Sequence, residues 1–110
     1  MKTTVEKLVL FTAVVFVIAL AGSGQALGQD GLALFTAKGC TACHGPKGDK
    51  PIMPIYPIVN GQSEAYILQQ LNDFKSKKRG NGQSQLMWGM AATLTDDDIK
   101  KLAKYLATVK

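Results

Sequence analysis

Cys40-Thr41-Ala42-Cys43-His44 sets two thiols three positions apart with an imidazole directly behind them. Several chemistries use such a cluster. A thioredoxin-like redox pair sits after a strand in a βαβ unit, and no such pattern surrounds Cys40. A structural zinc site needs four ligands, whereas the chain holds two cysteines and one histidine in all. A plain disulfide would leave His44 unexplained. The spacing C-x-x-C-H is that of a c-type haem attachment site. Each thiol can add to one vinyl group of the porphyrin, and the adjacent histidine is then placed beneath the iron as an axial ligand.

The rest of the chain supports an exported domain in need of a cofactor. Of its 110 residues, the first 26 carry Lys2 and Lys7, an apolar run from Leu8 to Ala21, and the small residues Gly22 to Ala26. That order predicts a cleaved secretory signal peptide over residues 1–26, with an uncleaved anchor as the alternative. The run is short of the ~20 apolar residues of a stable membrane-spanning helix. Residues 27–110 then form one domain, too small for a purely hydrophobic core to be comfortable. With 13 Lys+Arg against 8 Asp+Glu the full chain is formally +5. Removing Lys2, Glu6 and Lys7 lowers this to +4, too little to argue for a nucleic-acid partner.

No internal repeat is present, and no stretch alternates convincingly as a strand. Leu32, Leu34, Phe35 and Ala37 predict a helix of about two turns ending at Gly39. All four prolines fall between Gly45 and Gly61, which makes this segment an extended or ordered loop. Its Ile52, Met53, Ile55, Tyr56, Ile58 and Val59 are too many for a solvated linker and are expected to cover something hydrophobic. Ser63 caps a helix through Ile67, Leu68, Leu71 and Phe74, predicted to run to Lys75, Lys77, Lys78 and Arg79 and to stop at Gly80. Residues 80–93 carry no strong period. Thr95 and Asp98 form a capping box, with Leu94 and Ile99 as its hydrophobic staple, and Ile99, Leu102, Ala103, Leu106 and Val109 make the buried stripe of a last helix.

The run Gly31-x-x-Leu34-Phe35-x-x-x-Gly39-Cys40-x-x-Cys43-His44-Gly45, followed by Pro57-x-x-x-Gly61-Gln62 and by Met87-x-Gly89 before the capped helix, resembles the bacterial class I cytochromes c. The similarity covers nearly all of residues 30–110 and is strongest to small monohaem proteins and to the halves of dihaem carriers. It implies an all-α, class I cytochrome c fold of three main helices and loops wrapped around one covalently bound haem c, with the first and last helices crossing so that Gly31 and Phe35 meet Leu102 and Tyr105.

With one histidine, bis-histidine ligation within the chain is impossible. Met53, Met87 and Met90 remain as thioether candidates for the second iron ligand. The resemblance favours Met87 over Met90, and Met53 is expected to be core filler. It also implies that the Pro57 carbonyl holds the Nδ1 hydrogen of His44, Pro51 and Pro54 being poorer candidates. Trp88, bulkier than the family's usual residue between Met and Gly, is read as shielding the haem edge or filling the core. The function implied is a periplasmic electron carrier passing single electrons through a His/Met-ligated haem. The alternative is an electron-accepting subunit of a larger flavin- or sulfur-oxidising enzyme; a haem enzyme or gas sensor would need an open iron position. The partners expected are redox proteins, docking at the basic cluster Lys75, Lys77, Lys78 and Arg79. Membrane association is expected only if the signal segment is retained.

Overall fold

Thr95 sets the start of the last helix. Its extended backbone frees the hydroxyl to accept from the Asp98 N–H at 3.1 Å, and the Asp98 carboxylate accepts from the Thr95 N–H at 3.0 Å. This reciprocal bond holds the Asp98 carboxyl below the usual carboxylate range, the Thr95 N–H being the largest cause. The helix that follows exposes Lys100, Lys101 and Lys104 and buries Ile99, Leu102, Ala103, Tyr105 and Leu106. Val109 is half-buried against the same core.

The computed structural model describes residues 26–109, with side chains from Asp30 onward. The predicted signal segment lies, apart from Ala26, outside the described residues. Five helices follow in order: α1 Ala26–Ala37, α2 Thr41–His44, α3 Glu64–Lys75, α4 Ser84–Ala91 and α5 Asp96–Thr108. Helix α5 packs against both α1 and α3, and α3 packs against α4. The buried cluster where they meet is Phe35, Ile67, Leu94, Ile99, Leu102, Ala103, Tyr105 and Leu106.

The α1/α5 crossing follows the expectation closely. Phe35 and Tyr105 stack obliquely, ring centroids 5.8 Å apart, and Phe35 and Leu102 are each 2% exposed. Gly31 is the point of closest approach: a β-carbon there would collide with Tyr105 Cβ and press on the Lys101 carbonyl at 3.3 Å. Gly31→Ala is therefore expected to destabilise by about 1–3 kcal/mol, as overpacking does, although alanine would gain ~1 kcal/mol in an open helix. Denaturant unfolding of the haem-loaded protein measures this.

Three local expectations are corrected. Helix α1 is three turns long rather than two, because residues from Ala26 onward join it. Helix α3 stops at Lys75, not at Gly80; Ser76 caps it and Lys77 takes the left-handed conformation at φ 61°. The chain then doubles back, with the Arg79 N–H donating to the Asp73 carbonyl at 3.1 Å. Residues 84–91 form helix α4, although the sequence there carries no strong period. Part of its inner face, Leu86, Met87 and Met90, looks into a cavity rather than onto protein, and Gly80, Gly82 and Gly89 blur the pattern.

The proline segment is an ordered loop pinned at both ends. The Ile52 N–H donates to the Cys43 carbonyl at 3.1 Å, Val59 N–H to Gly48 at 2.8 Å, and Gly61 N–H to Leu106 of α5 at 2.9 Å. Gly45, at φ 87°, lets the chain turn back so tightly that a β-carbon would strike the Lys50 carbonyl. Ile55, Tyr56, Pro57, Ile58 and Val59 line the cavity as expected. Ile52 and Met53 do not: they face outward, 66% and 48% exposed, so Met53 is not core filler.

Candidate functional site

The cavity, about 430 Å³, lies between the Cys40–His44 turn, the proline loop, α3 and α4. That falls within the ~300–1,000 Å³ of small-molecule and cofactor sites. Most of its wall is apolar, including Phe35, Ile67, Leu71, Phe74, Leu94, Leu102 and Leu106. Many core side chains thus turn one flank to each other and one to the cavity.

The reactive residues come from one short turn. The Cys40 N–H donates to the Phe35 carbonyl at 3.1 Å, which fastens the motif to the end of α1, and the His44 N–H donates to Cys40 at 3.0 Å. Cys40, Cys43 and His44 all line the cavity. No disulfide joins the two cysteines. Burial pushes the Cys40 thiol above its usual range.

His44 is 7% exposed, and its Nδ1 lies 2.8 Å from the Pro57 carbonyl oxygen. A carbonyl only accepts, so Nδ1 carries the hydrogen and Nε2 is left as the ring's electron-pair donor. Of the three prolines weighed for this role, Pro57 is the one in contact.

Both remaining methionines reach the cavity from α4. Met87 is half-buried. Met90 is 37% exposed, and its Cε lies so that a side chain at Gly39 would touch it at 3.7 Å. Met90 thus leans on the turn that precedes Cys40, whereas Met87 has no such engagement there. Trp88 departs from expectation: it does not line the cavity and is not in the core. It faces the 79–80 turn and donates from Nε1 to the Arg79 carbonyl at 2.7 Å, bracing α4. One position along a helix rotates a side chain by ~100°, so a bulky neighbour of Met87 is tolerated because it points elsewhere.

The basic cluster divides. Lys75 pairs with Asp96 at 3.5 Å, Lys77 lies 5.8 Å over the Trp88 ring, and Lys78 is exposed. Arg79 instead turns into the cavity wall with Gln70 and Asn81. Reading along the sequence grouped it with its neighbours because the reversal at Lys77 has no glycine to mark it.

Paired thiols, one buried imidazole with a fixed hydrogen, a thioether and an apolar cavity fit a covalently held haem, and the class so defined is that of helical haem-c proteins. The cytochrome c family profile matches residues 28–110, and the chain belongs to that family. It is 47% identical over 74 residues to cytochrome c-553 of Helicobacter pylori, covering 67% of this chain and 74% of that one. It resembles the crystal structure of reduced recombinant cytochrome c4 from Pseudomonas stutzeri with a TM-score of 0.67 and 35% identity, over 77% of this chain and 49% of that one. It is also 37% identical over 70 residues to the thiosulfate dehydrogenase electron acceptor of Stutzerimonas stutzeri, covering 64% of this chain and 32% of that protein. The chain spans about half or less of the length of the cytochrome c4 relatives it matches. It is an electron-transfer protein with covalently attached haem c.

Proposed function

We propose that this domain is a periplasmic carrier of single electrons, exported by residues 1–26, whose haem iron is held between His44 Nε2 and the Met87 sulfur. The observation that carries this reading is the 2.8 Å bond from His44 Nδ1 to the Pro57 carbonyl, which fixes the imidazole in the ligating tautomer. Bound haem supplies a one-electron change at iron. Cys40 and Cys43 tether the macrocycle by thioethers. The apolar walls favour the less charged ferrous state, and a methionine ligand raises the potential further. With His44 and Met87 both available to hold the iron, no substrate would need to bind it. None of the described helices is long and apolar enough to cross a membrane.

The partner is a redox protein with an acidic face, met at the α3 end by Lys75, Lys77 and Lys78, with Arg79 contributing only from the cavity side. Lys77→Glu with Lys78→Glu is expected to slow electron exchange with the native partner about tenfold at low salt and to flatten its salt dependence. Unchanged rates at low ionic strength would remove the docking surface from the proposal.

A second reading, an electron-accepting subunit of a sulfur-oxidising enzyme, is supported by the exposed Ile52 and Met53 outside the cavity and by the likeness to a thiosulfate dehydrogenase electron acceptor. Purification of the native protein separates the two: a free monomer supports the carrier, and a stable complex with a catalytic chain supports the subunit.

A further inference from the structure

Helix α4 carries the proposed second iron ligand, yet little within the helix fixes where it lies. It is eight residues long, no side chain caps its start at Gln83, and a helix so short is marginal without tertiary support. Its Leu86, Met87 and Met90 border the cavity. Off the cavity, Trp88 ties it down. The half-buried indole donates from Nε1 to the Arg79 carbonyl at 2.7 Å. Among the described residues this is the one side-chain hydrogen bond from α4 back to the 76–80 segment. The ring lies on the same segment: a β-carbon at Gly80 would touch its Cζ2 at 3.7 Å, and Lys77 Nζ stands 5.8 Å from its centroid.

That segment is itself fastened to α3, since the Lys77 N–H donates to the Phe74 carbonyl at 3.0 Å and the Arg79 N–H to the Asp73 carbonyl at 3.1 Å. The links therefore run from α3 through the 76–80 segment and the indole to the residue next to Met87. Side chains one position apart share the backbone of their helix, so a slide or rotation of α4 that breaks the indole bond also carries Met87 with it. A metal ligand has to be held within about 0.5 Å of its productive place by the groups behind it. We propose that Trp88 is a positioning residue for the distal thioether: its bond to the Arg79 carbonyl holds α4 where it presents Met87 to the haem. The proposal rests on the reading that Met87 is the second iron ligand.

The consequence is a competition that an added ligand can read. Imidazole reaches the distal side of ferric iron only where the thioether has withdrawn, so whatever holds α4 weakens imidazole binding. Trp88→Phe keeps an aromatic ring and removes the N–H. It should bind imidazole about tenfold more tightly than wild type, ~1.4 kcal/mol, which is within the net worth of one hydrogen bond. Gly31→Ala lowers stability at the α1/α5 crossing instead and should leave imidazole affinity unchanged, because a general loss of stability does not release α4.

Imidazole titration of haem-loaded ferric wild type, Trp88→Phe and Gly31→Ala, followed by the methionine-to-iron charge-transfer band, decides the matter. Tighter binding in Trp88→Phe but not in Gly31→Ala supports the positioning role. Equal affinity in wild type and Trp88→Phe, or an equal gain in Gly31→Ala, overturns it and leaves Trp88 a packing residue. Met87→Ala tests the underlying reading separately: it should lack the band before imidazole is added, and a retained band overturns the ligand assignment and this proposal with it. If Trp88→Phe does not accumulate as haem protein, hydrogen exchange of the indole N–H in the wild type serves instead. Coupling between two sites is reciprocal, so faster exchange at saturating imidazole supports the proposal, and unchanged exchange overturns it.

Discussion

Replacing Cys40 and Cys43 together with alanine is expected to abolish covalent haem: the haem-stained band on a denaturing gel disappears, and the intact mass falls to that of the polypeptide. The thiols are the only two in the chain, and both line the cavity. Stability should collapse with attachment. At ~24 cal/mol per Å³ of cavity, the 430 Å³ left unfilled corresponds to an upper bound of roughly 10 kcal/mol. The bound is not reached because the cavity opens to water, yet even a third of it is a large share of the ~5–15 kcal/mol that holds a domain folded. Circular dichroism of the double variant should show a molecule far less stable than the parent. A folded, haem-stained double variant would refute both the attachment site and the cofactor's role in the core.

Removing the Met87 thioether is expected to have the second-largest effect. Met87→Ala should lose the methionine-to-iron charge-transfer band of the ferric protein and lower the midpoint potential by on the order of 100 mV, since axial ligands move haem potentials over ~0.8 V. Met90→Ala should keep the band, because Met90 is more exposed and leans on the Gly39 turn. Loss of the band in Met90→Ala alone would reverse the assignment. Both variants should still be haem-stained, which separates ligation from attachment.

The elements that could be read from residue order are those whose causes are local. Thr95 and Asp98 close their capping box within one turn, and Ile99, Leu102, Ala103 and Leu106 recur at the period of the helix that buries them. Helix α4 was missed because Leu86, Met87 and Met90 face a cofactor cavity, so their spacing has no protein partner to explain it. The end of α3 is hidden in the sequence because a lysine at 77 adopts the left-handed turn that glycine ordinarily signals. Hydrophobicity alone places Met53 and Trp88 inward; the loop path turns one out, and the helix rotation points the other at the Arg79 carbonyl.

Cys40, Cys43 and His44 determine by themselves that a haem is attached, because the spacing of the two thiols and the ligand is covalent and travels with the chain. Which carbonyl holds the imidazole, which methionine leans elsewhere, and whether Arg79 faces a partner or the cavity are settled by groups 9 to 13 residues apart or more, as in the Gln70–Arg79 and His44–Pro57 bonds. Only the tertiary structure decides these. A hydrogen bond depends on the distance and direction between atoms that the backbone brings together, and those are absent from the order of residues along it.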